Sequence, residues 1–176
     1  MRGLTGHLAL VAAGAAALTL SACGNSGSSS SSSSASSSST TTATPPPAPT
    51  LTDAQKKTLL AELPAAYQGA DLSNGEAKFA VCRSCHSTAQ GAEDMTGPNL
   101  WGIFGRKAGS EPGFAYSDDM KKAGWTWDAD HVDKWITNPR GVLPGTKMTF
   151  IGMQSPTDRR DVIAFLKTVT SPAPKS

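Results

Sequence analysis

The sequence predicts an all-α domain, a small shell of short helices joined by long loops. Three observations point there. No alternating apolar and polar run long enough for a strand occurs in the 176 residues. The stretch from Gly91 to Gly113 is dense in Gly and Pro, which suits loops wrapped around something rather than a sheet. Near the C-terminus, Val162, Phe165, Leu166 and Val169 recur at i, i+3, i+4 and i+7, marking one apolar stripe on a helix from about Asp158 to Val169.

In chain order, the first segment stands apart from that shell. Arg2 precedes an apolar run, Leu8 to Leu20, shorter than the ~20 residues that cross a bilayer as a helix. It reads as the apolar core of an export signal over residues 1–22. The run closes on Leu20-Ser21-Ala22-Cys23, which resembles the bacterial lipoprotein processing box, where small residues admit the peptidase and the thiol takes a diacylglycerol. Cys23 is then the lipidation site and first mature residue; the plainer alternative is an ordinary signal peptide with a chance cysteine. Gly24 to Thr50 is almost entirely Ser, Thr, Pro, Gly and Ala, with no charged or aromatic side chain. Such a segment has nothing to offset the entropy of ordering. Residues 23–50 therefore read as a lipidated cysteine and tether, stiffened at Pro45-Pro46-Pro47, with a root-mean-square reach of about 30 Å.

Residues 51–72 read as a leading helix and connector. Thr52-Asp53-Ala54-Gln55 fits a capping box, Leu59, Leu60 and Leu63 share a face, and Pro64 ends the helix. Residues 73–171 form the main domain. A second capping box, Ser73-Asn74-Gly75-Glu76, opens a helix that carries Phe79 into Cys82. Ser117 to Ala123, stopped by Gly124, suits a short helix. Asp128 starts another, with Val132, Trp135 and Ile136 on one face and Pro139 closing it.

Composition narrows the function. At 38% hydrophobic and 17% charged residues the chain is no membrane bundle. A formal charge of +2, with no Lys/Arg run longer than two, gives no nucleic-acid footprint. Residues 51–176 hold 15 of the 16 basic and all 14 acidic residues, so a basic docking face must come from charge segregation. Three cysteines is an odd number for an exported protein.

Cys82-Arg83-Ser84-Cys85-His86 resolves that arithmetic, because it is the c-type haem attachment pattern. Two thiols three positions apart on a helical turn can add across two vinyl groups, and the following histidine reaches the iron from the same side. Two thioethers and one lipid anchor leave no free thiol. Half a zinc site is the competing reading, but beyond this motif only Cys23, His7 and His131 could complete it. A redox dithiol is another, leaving His86 and the loops without a role.

Further motifs surround this one. Thr96-Gly97-Pro98-Asn99-Leu100, Gly102-Ile103-Phe104-Gly105-Arg106-Lys107, Pro112-Gly113-Phe114-Ala115-Tyr116, Pro144-Gly145-Thr146-Lys147-Met148 and Asp161-Val162-Ile163-Ala164-Phe165-Leu166-Lys167 lie in that order. From about Gly75 to Thr168 the chain resembles class I cytochrome c of the mitochondrial and alphaproteobacterial type, here as a lipid-anchored bacterial form. The resemblance implies a small helical shell around one covalently bound haem c, its first and last helices crossing through Gly75 and Phe79 against Phe165. It also implies His86 and Met148 as the two axial iron ligands. An imidazole and a thioether make six-coordinate iron, and the soft neutral sulfur favours Fe(II) and raises the reduction potential. A methionine taken alone is more often core filler, and Met95, Met120 and Met153 are the other candidates in the domain.

By the same resemblance, the Pro98 carbonyl accepts from His86, and Arg106, Tyr116 and Trp127 bond or screen the haem propionates, with Thr146 in the network beside Met148. Leu100, Phe104 and Phe150 wall the haem, and Met120 packs where a polar residue is usual. Trp135 replaces a usual tyrosine, which puts a hydrogen bond toward the methionine sulfur in doubt. His131 reads as solvated surface. The family docks through lysines around the haem edge; this chain keeps Arg140 and Lys147 but has Gln154 and Ser155 where further lysines are common.

The expectation is an electron-transfer protein, not an enzyme: a lipid-anchored periplasmic carrier of single electrons. It would act as a monomer between a cytochrome bc complex and a terminal oxidase or other redox complexes, tethered at the membrane, the inner membrane being favoured. The alternatives are a haem enzyme or redox subunit, peroxidase-like or dehydrogenase-associated, and a structural or metal-sensing lipoprotein with zinc at the cysteine pair.

Overall fold

A computed structural model describes residues 50–174. The signal segment, Cys23 and the tether up to residue 49 lie outside the described residues.

Helix α1, Asp53–Ala61, begins as expected: the Thr52 hydroxyl accepts from the Gln55 backbone N–H, and the Gln55 side chain accepts from the Thr52 N–H. The helix stops before Pro64, and one turn of 3-10 helix follows at Ala65–Tyr67. Helix α2, Leu72–Arg83, starts two residues earlier than a cap at Ser73 would place it. Its cap is Asp71, whose carboxylate accepts from the N–H groups of Ser73 and Asn74 at 2.9 and 3.0 Å. A charged acceptor at the positive end of the helix prevails over the serine two residues further on. Asp71 also donates its own N–H to Asp161 at 3.1 Å, which fixes the start of α2 against the last helix.

Helix α3, Asp118–Lys122, is capped by Ser117, and α4, Ala129–Thr137, by Asp128; both follow the sequence reading. Pro139 does more than end α4. It occupies the first position of a further short helix, α5, Pro139–Val142, where its missing N–H leaves no bond unmade. Helix α6, Pro156–Thr170, begins two residues earlier than expected, with Ser155 as cap and Pro156 at its first position. The only β-type pairing among the described residues is an isolated antiparallel bridge between Lys107 and Thr126.

The core gathers on α6, which packs against α1, α2, α4 and the 3-10 turn. Val162, Ile163, Ala164 and Leu166 are buried there. The expected crossing is present. Phe79 and Phe165 meet at 5.6 Å between ring centroids, and a Cβ on Gly75 would overlap the Asp161 carbonyl, so only glycine permits the approach. The leading segment is tied to this frame by a Lys167–Glu62 ion pair at 2.7 Å and by the Tyr67 hydroxyl donating to Asp130 at 2.9 Å.

Candidate functional site

Cys82 is the penultimate residue of α2, and Cys85 follows its C-cap, Ser84. The last turn continues through the motif, since the N–H groups of Cys85 and His86 both reach the Cys82 carbonyl, at 3.1 and 3.0 Å. This curl places both thiols and the imidazole on one winding of backbone. Burial pushes the Cys82 thiol up to about 11, and the neighbouring Cys85 adds to the rise.

The His86 ring is held from two sides. Its Nδ1 lies 2.7 Å from the Pro98 carbonyl oxygen, as expected, so the proton sits on Nδ1 and Nε2 keeps its lone pair. A Cβ on Gly97 would overlap the imidazole, so the backbone there closes directly on the ring face. Burial lowers the His86 pKa, opposed by the Pro98 bond and reinforced by Arg106, which leaves a neutral imidazole suited to metal ligation.

Met148 lies in the loop between α5 and α6. Its N–H donates to the Thr146 hydroxyl at 3.1 Å, and the Thr146 N–H reaches the Leu143 carbonyl at 3.0 Å. The sulfur is not left without a donor, contrary to the doubt raised by Trp135. The Trp135 Nε1–H donates to Met148 Sδ at 3.1 Å. An indole carries an N–H of its own, and the loop docks closely enough on α4 for it to reach.

The remaining expected site residues divide. Arg106 is half-buried, ion-paired with Glu111, and donates to the carbonyls of Asn99 at 2.7 Å and Trp101 at 3.4 Å. Tyr116 is half-buried edge-on to Phe114, and burial raises its phenol pKa while Arg106 opposes the shift. Trp127 and Met120 are buried, while Leu100, Phe104, Met148 and Phe150 are partly buried against the core. His131 is not free surface: its Nδ1 lies 2.8 Å from Asp128 and its ring stacks on Trp125. Lys147 is exposed and donates to the Ala115 carbonyl at 2.7 Å.

Sequence reasoning missed Asn99, whose buried amide donates to the carbonyls of Ala89 and Ala92 and shapes the loop behind His86. It also missed Trp125, whose Nε1 is the one buried side-chain polar atom among the described residues with no hydrogen-bond partner. Neither has a local signal, because both depend on which loops meet. The donor set as a whole fits an iron porphyrin: two thiols one turn apart, a neutral imidazole with one nitrogen already committed, and a thioether oriented by an N–H.

The family model described as Cytochrome c matches residues 72–170. The chain belongs to the cytochrome c family. Among relatives of this cytochrome, cytochrome c2 of Rhodomicrobium vannielii is 50% identical over 103 residues, covering 58% of this chain and 82% of that protein. Cytochrome c2 iso-2 of Magnetospirillum fulvum is 45% identical over 91 residues, covering 52% and 94%. The solved structure of cytochrome cH from Methylobacterium extorquens, 42% identical, superposes with a TM-score of 0.52 over 56% of this chain and 98% of its own. The cytochrome binds one covalent haem c, for which Cys82 and Cys85 supply the attachment motif. It is an electron-transfer protein rather than an enzyme. Helix α1 and the 3-10 turn precede the matched region and are additions to it.

Proposed function

We propose that this cytochrome is a membrane-tethered one-electron carrier on the periplasmic side of a bacterial membrane, shuttling between a cytochrome bc complex and a terminal oxidase. The observation that carries the reading is that each expected iron-binding atom is fixed by a bond that leaves a lone pair free. His86 is anchored through Nδ1, and Met148 Sδ accepts one N–H while keeping a second lone pair. His86 and Met148 would hold the iron, and Cys82 and Cys85 would form the two thioethers. The bound haem supplies an Fe(III)/Fe(II) couple.

The protein's part is to keep both ligands in place during electron transfer. The Pro98 carbonyl holds the imidazole's tautomer and raises its basicity. Thr146 and Trp135 orient the methionine from its two ends. Arg106, Tyr116 and Trp127 would face the propionates, with the Glu111 carboxylate steadying the guanidinium. With His86 and Met148 both bound to the iron, no coordination position would remain for peroxide, which favours the carrier over a haem enzyme.

The tether rests on Leu20-Ser21-Ala22-Cys23 and the Ser-rich segment after it. Confinement at a membrane raises the effective concentration of carrier near its partners to the millimolar range, which would offset the modest charge of its docking face. Redox titration of membrane fractions with and without Cys23→Ala tests the proposal. Haem that stays with the membrane and cycles between quinol and oxygen in the wild type, but appears in the soluble fraction of the variant, supports it. Haem equally soluble in both removes the lipid anchor. High-spin ferric iron with rapid peroxide turnover removes the carrier.

A further inference from the structure

We propose that the face around the haem-holding residues docks a partner whose own surface is apolar and uncharged, by apolar contact rather than by charge. This rests on the reading of this cytochrome as a carrier whose haem is held by Cys82, His86 and Met148, and it departs from the family's use of lysines. Among the described residues, the large apolar side chains that stand exposed are Val81, Met95, Val142 and Ile151, the last at 91%. They are not scattered. Val81 directly precedes Cys82 on α2, and Met95 lies in the loop that brings the Pro98 carbonyl to His86. Val142 ends α5 and Ile151 follows Met148 by three residues, so the pair flanks the segment that carries the methionine. None lies on α1, α3, α4 or α6. Apolar side chains exposed singly are ordinary, but their confinement to the segments that build one site marks an interaction face.

Local structure holds them outward. Phe79 packs on α6, and two residues further along a helix the direction is nearly reversed, so Val81 faces away from that contact. The Ser84 hydroxyl donates to the Val81 carbonyl at 2.8 Å and fixes the turn. The Met95 N–H reaches the Gly97 carbonyl at 2.9 Å, and the Gly97 N–H reaches the Cys85 carbonyl at 2.8 Å, which bonds this loop to the attachment winding itself. On either side of Ile151 the chain is docked: Phe150 is partly buried, and Gly152, at φ 105°, closes on the Thr137 carbonyl where a Cβ would overlap. An apolar group held this way has already lost much of the freedom that docking would cost it.

Charge on the same segments is balanced. Arg83, beside Val81, pairs with Glu76 at 3.1 Å. Glu93 and Asp94 immediately precede Met95, while Arg140 and Lys147 stand near Val142 and Met148. Three basic residues thus meet three acidic ones, and an acidic partner gains no net attraction where an uncharged apolar one is complementary. Without steering, encounters are slower, and confinement by the proposed tether would supply them instead.

The test mixes the full-length ferrous holoprotein, in non-ionic detergent, with detergent-solubilised membranes from cells of the same bacterium that lack it. Haem oxidation under air is followed where the rate is proportional to carrier concentration. The wild-type rate is expected to change by less than about twofold between about 10 and 300 mM salt. Ile151→Ser and Val81→Ser are each expected to lower it about five- to tenfold at every salt concentration, with haem spectrum and midpoint potential unchanged. A wild-type rate that falls about tenfold with salt makes charge the docking force and overturns the proposal. Serine variants oxidised as fast as wild type overturn it too. Other occupants have their own signatures: a wild-type dimer in sedimentation velocity that Ile151→Ser dissolves assigns the face to a second copy. Binding of the Cys23→Ala chain to phosphatidylcholine vesicles that is lost on adding Ile151→Ser assigns it to lipid. Either result overturns the proposal. Wild-type haem that is not oxidised at any salt concentration removes the carrier reading, and the proposal with it.

Discussion

Asn74 on α2 donates its side-chain amide to the buried carboxylate of Asp161 on α6 at 2.8 Å, across the point where the two helices touch. The same carboxylate accepts from the Asp71 N–H at 3.1 Å and the Arg160 guanidinium at 2.8 Å. One side chain thus fixes the start of the helix that carries Cys82 and leads into Cys85. A charge this deeply placed is tolerated only because its oxygens are filled.

Replacing Asp161 by Ala strands the Asp71 N–H and leaves the Asn74 amide only its bond to Asp158, and is expected to destabilise the holoprotein by about 2–3 kcal/mol. Chemical denaturation followed by Soret absorption measures it. A loss under half a kilocalorie would show that water replaces the carboxylate without penalty.

Acid stability follows from the same group. Burial alone raises the Asp161 pKa, but bonds from Asn74, Arg160 and the Asp71 N–H outweigh it, and the net shift is downward from 3.8. A carboxyl with a depressed folded pKa contributes stability that is full above its unfolded value and lost as pH falls through the folded one. Asp161→Asn is therefore expected to flatten the decline in stability below about pH 4 while lowering the plateau above it. Asp158, shifted downward by Asn74 and Lys78, acts on the acid limb in the same direction. Denaturation midpoints between pH 2 and 6 test this, and an unchanged slope would assign the acid limb elsewhere.

Gly75→Val should separate α2 from α6, because any Cβ at that position overlaps the Asp161 backbone and crowds Phe165. Overpacking costs about 1–3 kcal/mol and sometimes more. The expected readout is a lower thermal midpoint with the haem still attached, since the motif lies at the other end of α2.

The helices and the attachment motif were legible in the sequence because their signals are local. Thr52, Ser117 and Asp128 cap where a side chain meets the N–H three residues on, and Cys82 to His86 is complete in five positions. Ser73 misled because the acceptor at Asp71 is stronger, and because Asp161, 90 residues away, pins the helix start. The Trp135–Met148 bond was misread for a related reason. Its donor is visible in the sequence, but its length depends on how a loop docks on a helix, which no spacing encodes.

Gly97→Ala is expected to displace the His86 ring, since a methyl there overlaps the imidazole. The Pro98 bond would lengthen, the ligand would become less basic, and the potential would rise. Proton NMR of the imidazole Nδ1–H detects the change, and an unaltered resonance would show that the loop yields without cost.

Tyr67→Phe removes one hydroxyl from the addition that precedes the family match. The bond it makes, 2.9 Å to the Asp130 carboxylate, is worth about 1.5–3 kcal/mol. Loss of that amount without any change in potential is expected from calorimetry paired with voltammetry, because the contact joins the 3-10 turn to α4 and bypasses the iron ligands.

That α6 is the common partner of α1, α2, α4 and the 3-10 turn carries an implication for biogenesis. Each earlier element must wait for the end of the chain before its apolar face has anything to rest on, which makes closure a late, all-at-once event. On the proposed route to the periplasm the polypeptide would emerge open, its thiols reachable by an attachment machinery until the fifteen-residue α6 arrives. A chain stopped before Pro156 should accept the cofactor yet stay unfolded by circular dichroism.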